Sequence, residues 1–302
     1  MAASLFGASC TMDSLDYIHV AHTLLTAAAE LEARAKDEEF RREAVRLYNE
    51  IQRILKSGVA QYVQVTVDQG ARLPLMKLTD DPVLKKLTLV AHEGEETFFR
   101  PKDTSIVVAD VSSIFEQTYN VKLKALDVLK DKAVRSSFIH ELVHYLDSER
   151  FSMEDAIKSY PTNDEKKEKG IKTYVNHPIE TNAYFHQAVV EYLDKIEFDK
   201  TVADIEHDTG PDKAGSDKHD WAVWKLLDLK DQSFKNFLSN WRGHYKFWHV
   251  LSPENQKKLS ARLYPVYAKV VSTAKDIIAE LRKRKDPMLV EMDESKRQSE
   301  ES

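Results

Sequence analysis

"SSFIHELVHYLDSERF", residues 136–151, carries His140, Glu141 and His144 in the order H-E-x-x-H, and the fold expected for the chain turns on how it is read. Ile139, Leu142, Val143 and Leu146 recur at the 0, 3, 4, 7 spacing of an apolar helical stripe, so the stretch predicts a helix with one buried side. Residues four apart on a helix point the same way, so His140 and His144 can bring two neutral imidazole nitrogens to about 2.0–2.1 Å from one Zn²⁺. Glu141 is rotated by about 100° and stands beside such an ion, where a carboxylate serves as general base toward water activated by the metal. The plainer reading is a chance match on a wet helix face, which a chain of this size and histidine content produces in roughly a few per cent of cases. The stripe argues against it, because it sets the histidines on the flank of a buried helix.

A third ligand is needed. The extended form H-E-x-x-H-x-x-G-x-x-H fails, with Asp147 in place of the glycine and Arg150 in place of the last histidine, so the metzincin pattern is excluded. The better candidate lies in "NHPIETNAYFHQAVVEYLDKI", residues 176–196. Pro178 suits the first helical position behind Asn176 or His177 as cap, which puts Glu180 in the first turn. Phe185, Ala188, Val189, Tyr192, Leu193 and Ile196 form the buried stripe of that helix, and the small Ala183 leaves room for close approach to the motif helix. A glutamate near a helix N-terminus also has a plain explanation in the helix dipole. His177, Asp147 and Glu149 therefore stand as rival third ligands. Asp147, on the same helix face as His144, could instead accept the outer N–H of a ligand histidine.

Upstream, "QYVQVTV" (61–67) alternates apolar and polar residues and predicts a strand, as do "KKLTLVAHE" (85–93) and "DTSIVVAD" (103–110), with "EGEETFFRPKD" as a turn joining a hairpin. Residues 14–56 predict two helices split near Asp37, after a loose arm over 1–12. The second has Phe40, Val45, Leu47, Tyr48, Ile51 and Ile54 at helical intervals. His19 and His22 on the first have metal-like spacing but no acidic neighbour, and read as a solvated or packed pair. Downstream, helices are expected over 125–150, 153–159, 178–197, 217–229, 232–241 and 254–284. Polar loops fill 159–178 and 198–220.

The 302 residues include only eight glycines and nine prolines, which favours long helices over a many-turned β architecture. Net charge is 44 − 50 = −6, so no bulk attraction to nucleic acid or anionic membrane is expected. Cys10 is the only cysteine, which rules out an internal disulfide and a thiolate zinc site and suits a reducing compartment. No secretory signal and no membrane span are expected.

"HELVHYLD" followed by "HPIETNAYFHQAVVEYL" resembles the zincin metallopeptidases of the gluzincin type, in the H-E-x-x-H … E-x-x-A form of small bacterial regulatory zincins and of the metallopeptidases ascribed to tailed phages. The likeness covers about residues 85–200. It implies Zn²⁺ held by His140, His144 and Glu180, with Glu141 as catalytic base. Tyr184 and His177 are catalytic candidates for steadying the oxyanion, and Tyr174 and His186 lie nearby. It implies a zincin-like core of a small mixed sheet and active-site helix over 61–200; with the helices read on either side, the expected fold is α+β, mostly helical, with an N-terminal helical segment (1–60) and a helical C-terminal extension (201–284). A disordered tail over 285–302 is expected from its charge. The implied activity is cleavage of peptide bonds in a polypeptide substrate presented along a sheet edge. Cytoplasmic location, within a host cell or with a virion if phage-encoded, goes with it. The contrasting expectation is a non-catalytic structural or interaction protein that keeps the fold. Its protein partner would bind the C-terminal helices, where "WAVWKLLDL" and "FLSNWRGHYKFWHVL" cluster four tryptophans.

Overall fold

Apolar residues at every third or fourth position set the first helix. In α1 (36–56) Phe40, Ala44, Leu47, Tyr48, Ile51, Ile54 and Leu55 make one buried stripe. Its outer face is laced by paired hydrogen bonds from Arg46 to Glu43 and from Arg53 to Glu50, each pair three residues apart. The computed structural model describes residues 36–57, 60–62, 64–66, 70–91, 97–108, 132–150, 170–207 and 217–300. The first helix expected before Asp37, His19 and His22, and the short helix over 153–159 lie outside them.

A five-stranded mixed sheet follows: β1 (Gln64–Thr66), β2 (Gly70–Pro74), β3 (Thr88–Ala91), β4 (Phe98–Arg100) and β5 (Ser105–Val108), in the spatial order 1-2-3-5-4. The β1–β2, β2–β3 and β4–β5 pairs are antiparallel, while β3 and β5 run parallel with Leu89 opposite Ile106. This corrects the hairpin expected between β3 and β5. The supposed turn contains β4, which pairs outside β5 and becomes an edge of the sheet. The turn after β4 is a 3₁₀ segment, Pro101–Asp103, closed by Thr104 in the left-handed region at φ 49°. Asp103 pins it, accepting from Ser105 Oγ at 2.6 Å and from Arg72 at 3.1 Å.

Beyond the sheet the described chain is helical: α2 (Lys132–Arg150), a helical turn over 170–175, α3 (Pro178–Lys195), α4 (Phe198–His207), α5 (Asp217–Asp231), α6 (Phe234–Arg242), α7 (Pro253–Lys283) and α8 (Pro287–Glu300). The fold is α+β and mostly helical. Two expectations are corrected. The segment expected as a linker over 198–220 opens with α4, because Phe198, Val202 and Ile205 share one apolar side. The tail expected to be disordered forms α8. Asp286 accepts from the Leu289 N–H at 3.3 Å as its cap, and Leu289 is buried with Met288 and Met292 packed nearby. Among the described residues no helix is long and apolar enough to cross a membrane.

The interior forms two apolar clusters. One joins α1, the sheet and α2. The other joins α4 to α8 around Trp241, whose ring meets Phe185, Tyr245 and Trp248 edge-on. Helix α3 belongs to both, giving Ala183 and Val190 to the first and Phe185, Ala188, Val189 and Tyr192 to the second. Trp221 and Trp224 on α5 stay exposed, with the Lys225 ammonium 3.6 Å from the Trp221 ring centroid.

Candidate metal centre

Helix α2 buries Phe138, Ile139, Leu142, Val143 and Leu146 completely or nearly so, and that fixes its rotation. His140 and His144 then project together toward the start of α3, with their Nε2 atoms 3.1 Å apart. Pro178 opens α3 behind His177, the N-cap residue, and Glu180 falls in the first turn pointing back at α2. Its two carboxylate oxygens sit 3.4 Å from His140 Nε2 and 3.5 Å from His144 Nε2. Ala183, one turn further on, is fully buried in the cluster that contains the α2 stripe, so its small side chain permits this close packing.

The chemistry of this donor set suits a cation. Both Glu180 oxygens are buried without a hydrogen-bond partner, and so is His140 Nδ1. An ion with tetrahedral ligands at about 2.0–2.1 Å sets ligand–ligand edges of about 3.3–3.4 Å. The measured separations of 3.1, 3.4 and 3.5 Å bracket that value. At such lengths an imidazole and a carboxylate make poor hydrogen bonds but good co-ligands. Among the described residues the group able to hold a metal ion is His140, His144 and Glu180.

The electrostatics agree with the geometry. Burial alone would lower the His144 imidazole, but Glu180 and Glu141, with Asp147 behind them, reverse the sign and raise it. Burial alone would raise the Glu180 carboxyl, and the two imidazoles facing it hold it below the usual range. Each group thus favours positive charge at the centre of the cluster.

Glu141 is held between the sheet edge and this cluster. Its Oε2 accepts the Phe99 backbone N–H of β4 at 2.7 Å, and its Oε1 lies 4.0 Å from His140 Nε2. Burial pushes its carboxyl up, against the pull of the two imidazoles. This contact also occupies the outer edge of the sheet: the outward N–H of Phe99 is already engaged, and position 101 is a proline with none.

Tyr184, one turn after Glu180, lays its ring 4.4 Å from the His140 ring and 5.0 Å from Phe247. Burial and the adjacent Tyr174 hydroxyl push its phenol well above the ordinary range. His177 stands one turn before Glu180, outside the metal-competent group. The rival ligands are likewise placed elsewhere. Glu149 pairs with Lys86, and Asp147 accepts from Asn182 Nδ2 at 3.0 Å. His186 turns away toward α1, close to Phe40, and burial followed by the charges of Arg262 and Arg41 holds it well below its usual pKa. A cavity of about 730 Å³ between α1, α3 and α7, lined by Arg41, Val190, Phe198 and Lys269 among others, includes none of the ligands.

Sequence reasoning missed the Phe99–Glu141 contact, because nothing marks β4 as an edge strand before its pairing is known. No family model, curated protein or solved structure matches the chain.

Proposed function

We propose that the protein is a zinc-dependent metallopeptidase of the gluzincin type, with His140, His144 and Glu180 as ligands and Glu141 as general base. The observation that carries the reading is the placement of Glu141: one oxygen is anchored by the Phe99 N–H at 2.7 Å, which leaves the other directed at the ligand cluster. Zn²⁺ in this cluster would supply a Lewis acid that polarises a carbonyl and lowers the pKa of water. Glu141, its carboxyl raised by burial, takes a proton from the attacking water and passes it to the leaving amine. Tyr184, with its ring against His140, offers a hydroxyl to the oxyanion that forms on the carbonyl. The substrate class that goes with this reading is a polypeptide, although the outward N–H of Phe99 is taken by Glu141 and position 101 is a proline, so β4 offers it no N–H at either place.

A second reading draws support from burial. Residues His140, His144 and Glu180 are only 5%, 7% and 0% exposed, as in a closed structural metal site. In that case the protein is a non-catalytic scaffold, and the exposed Trp221 and Trp224 become candidates for partner contact.

Elemental analysis of purified protein, with His140→Ala and Glu141→Gln beside it, separates the readings. The peptidase reading expects one zinc per chain, lost in His140→Ala. Glu141→Gln should keep the zinc and lose cleavage of a mixed peptide library. Zinc retained with no cleavage by the wild type would favour the scaffold. Absence of zinc after loading would sink both.

A further inference from the structure

We propose that Arg262, on α7 in the C-terminal helices, is a positioning residue for the metal centre that acts on His144 through Asn182 and Asp147. The inference rests on the metal reading above and extends it to a part of the chain with no recognisable motif.

Hydrogen bonds run without a break from Asp37 to Asp147, and helical spacing sets Asp147 beside His144. Arg262 Nε and Nη2 donate to the two carboxylate oxygens of Asp37 on α1 at 2.7 and 2.8 Å. Nη2 also donates to Asn182 Oδ1 on α3 at 2.7 Å. Asn182 Nδ2 then donates to Asp147 Oδ2 on α2 at 3.0 Å. Asp147 lies three residues beyond His144, hence on the same helix face, where a carboxylate orients a ligand histidine. Four helices are joined through three side-chain pairs, two of which share the Asn182 amide.

The chemistry gives the relay a direction. A guanidinium only donates and an ionised carboxylate only accepts, so just one orientation of the Asn182 amide serves both neighbours. Nη2 has two hydrogens, and Asp37 and Asn182 use both. The 3.5 Å approach of His186 Nε2 to the same nitrogen is therefore packing. The guanidinium is held in plane by Phe185, whose ring centroid is 4.2 Å from its central carbon. Asn182 is two residues from Glu180, so Arg262 fixes the helix carrying the third ligand as well as the carboxylate beside the second. The start of α3 has a second tie to the same region: Asn176 Oδ1 accepts the Ser252 N–H at 2.7 Å and Asn255 Nδ2 at 3.0 Å.

Asn182→Asp is the sharpest test, because a merely structural role and the relay predict opposite results. The new carboxylate is isosteric and pairs well with Arg262, so a structural role expects the fold and the site to be kept. The relay expects the link to Asp147 to turn into repulsion between carboxylates. Arg262→Lys keeps the charge but loses the planar fork that spans Asp37 and Asn182. Arg135→Gln is the control, since it cuts the Arg135–Asp194 ion pair between α2 and α3 and lies off the relay.

The measurements are zinc affinity by competition with a chromophoric chelator, the ligand-field spectrum of the Co²⁺ form, and the melting temperature of the metal-free protein. Asn182→Asp and Arg262→Lys are expected to weaken zinc by about 10-fold and to alter the Co²⁺ spectrum. Arg135→Gln is expected to lower the melting temperature with affinity and spectrum unchanged. Wild-type affinity in both relay variants overturns the proposal, as does an equal loss in Arg135→Gln. If Asn182→Asp does not fold, Arg262→Lys decides alone. A wild type that binds no zinc sinks the metal reading and the relay together, whereas binding with unaffected relay variants sinks the relay only.

Discussion

Ala183 is a small, fully buried side chain where the two helices of the candidate metal centre pack together, and enlarging it should open that centre. It lies three residues beyond Glu180, is fully buried, and belongs to the cluster that holds Ile139, Leu142 and Val143 of α2. Ala183→Leu inserts three carbons into a close-packed seam and is expected to cost about 1–3 kcal/mol. With carbon–carbon bonds of about 1.5 Å, the insertion moves α3 from α2 by on the order of 1 Å. Metal ligands tolerate only about 0.2 Å of displacement, so the shift should weaken zinc by about 10- to 100-fold. Ala188→Leu is the matched control. That alanine is equally buried on α3 but sits in the other cluster, about 12 Å along the helix from Glu180. Both variants should unfold at lower urea in the metal-free state, and only Ala183→Leu should lose zinc affinity by chelator competition. Equal effects of the two variants on affinity, or none from either, would refute the claim that this contact sets the ligand geometry.

His186 is buried and held well below its usual pKa, so the unfolded state binds its proton more tightly than the folded one. Stability from this group is complete above about pH 6.5 and falls on acidification by up to about 1.4 kcal/mol per pH unit. His186→Gln should flatten that part of the urea-midpoint profile, and parallel profiles for the two proteins would count against it. Thr104 is β-branched and left-handed at φ 49°, a conformation that asparagine adopts more readily. Thr104→Asn should therefore raise stability by about 1 kcal/mol in calorimetry, and a lowered melting temperature would show that the threonine makes a compensating contact. Tyr184→Phe keeps the ring against His140 and removes the hydroxyl. With zinc content unchanged, kcat on a cleaved peptide should fall by about 10²- to 10³-fold, and an unaltered kcat would remove the hydroxyl from the mechanism.

The two histidines of the candidate centre were legible because the helical period writes their pairing into the sequence. Apolar residues at 139, 142, 143 and 146 fix the rotation of α2 and so the pairing of His140 with His144, and Pro178 fixes where α3 begins and so puts Glu180 in its first turn, while the preference for Glu180 over His177, Asp147 and Glu149 comes from the resemblance. The sheet was legible only where strands are apolar runs with β-branched residues. β2 contains glycine and proline, and β4 is three residues long between Thr97 and Pro101, so neither carries a periodic signal. Their identity comes from pairing with distant strands, which no local pattern records. The same holds for α8, where a charged surface hid the few apolar contacts of Met288, Leu289 and Met292.

Arg262 is the clearest case of a contact without a local signature, since 80 residues separate it from Asn182 and 225 from Asp37. Its placement bears on how the chain divides. A boundary at residue 200 cuts inside α4 (Phe198–His207), and the wider apolar face of α3 packs with α5, α6 and α7. Glu180 and Ala183 face the other way, into the half of the molecule built on the sheet. The candidate metal centre thus lies on the seam between two cores, with two ligands from one and the third on the helix that joins them. Removing the C-terminal core would strip α3 of the contacts that fix its rotation, and with them the position of Glu180. The helices after residue 200 act in this sense as part of the site's scaffold, although none of their residues is a metal ligand.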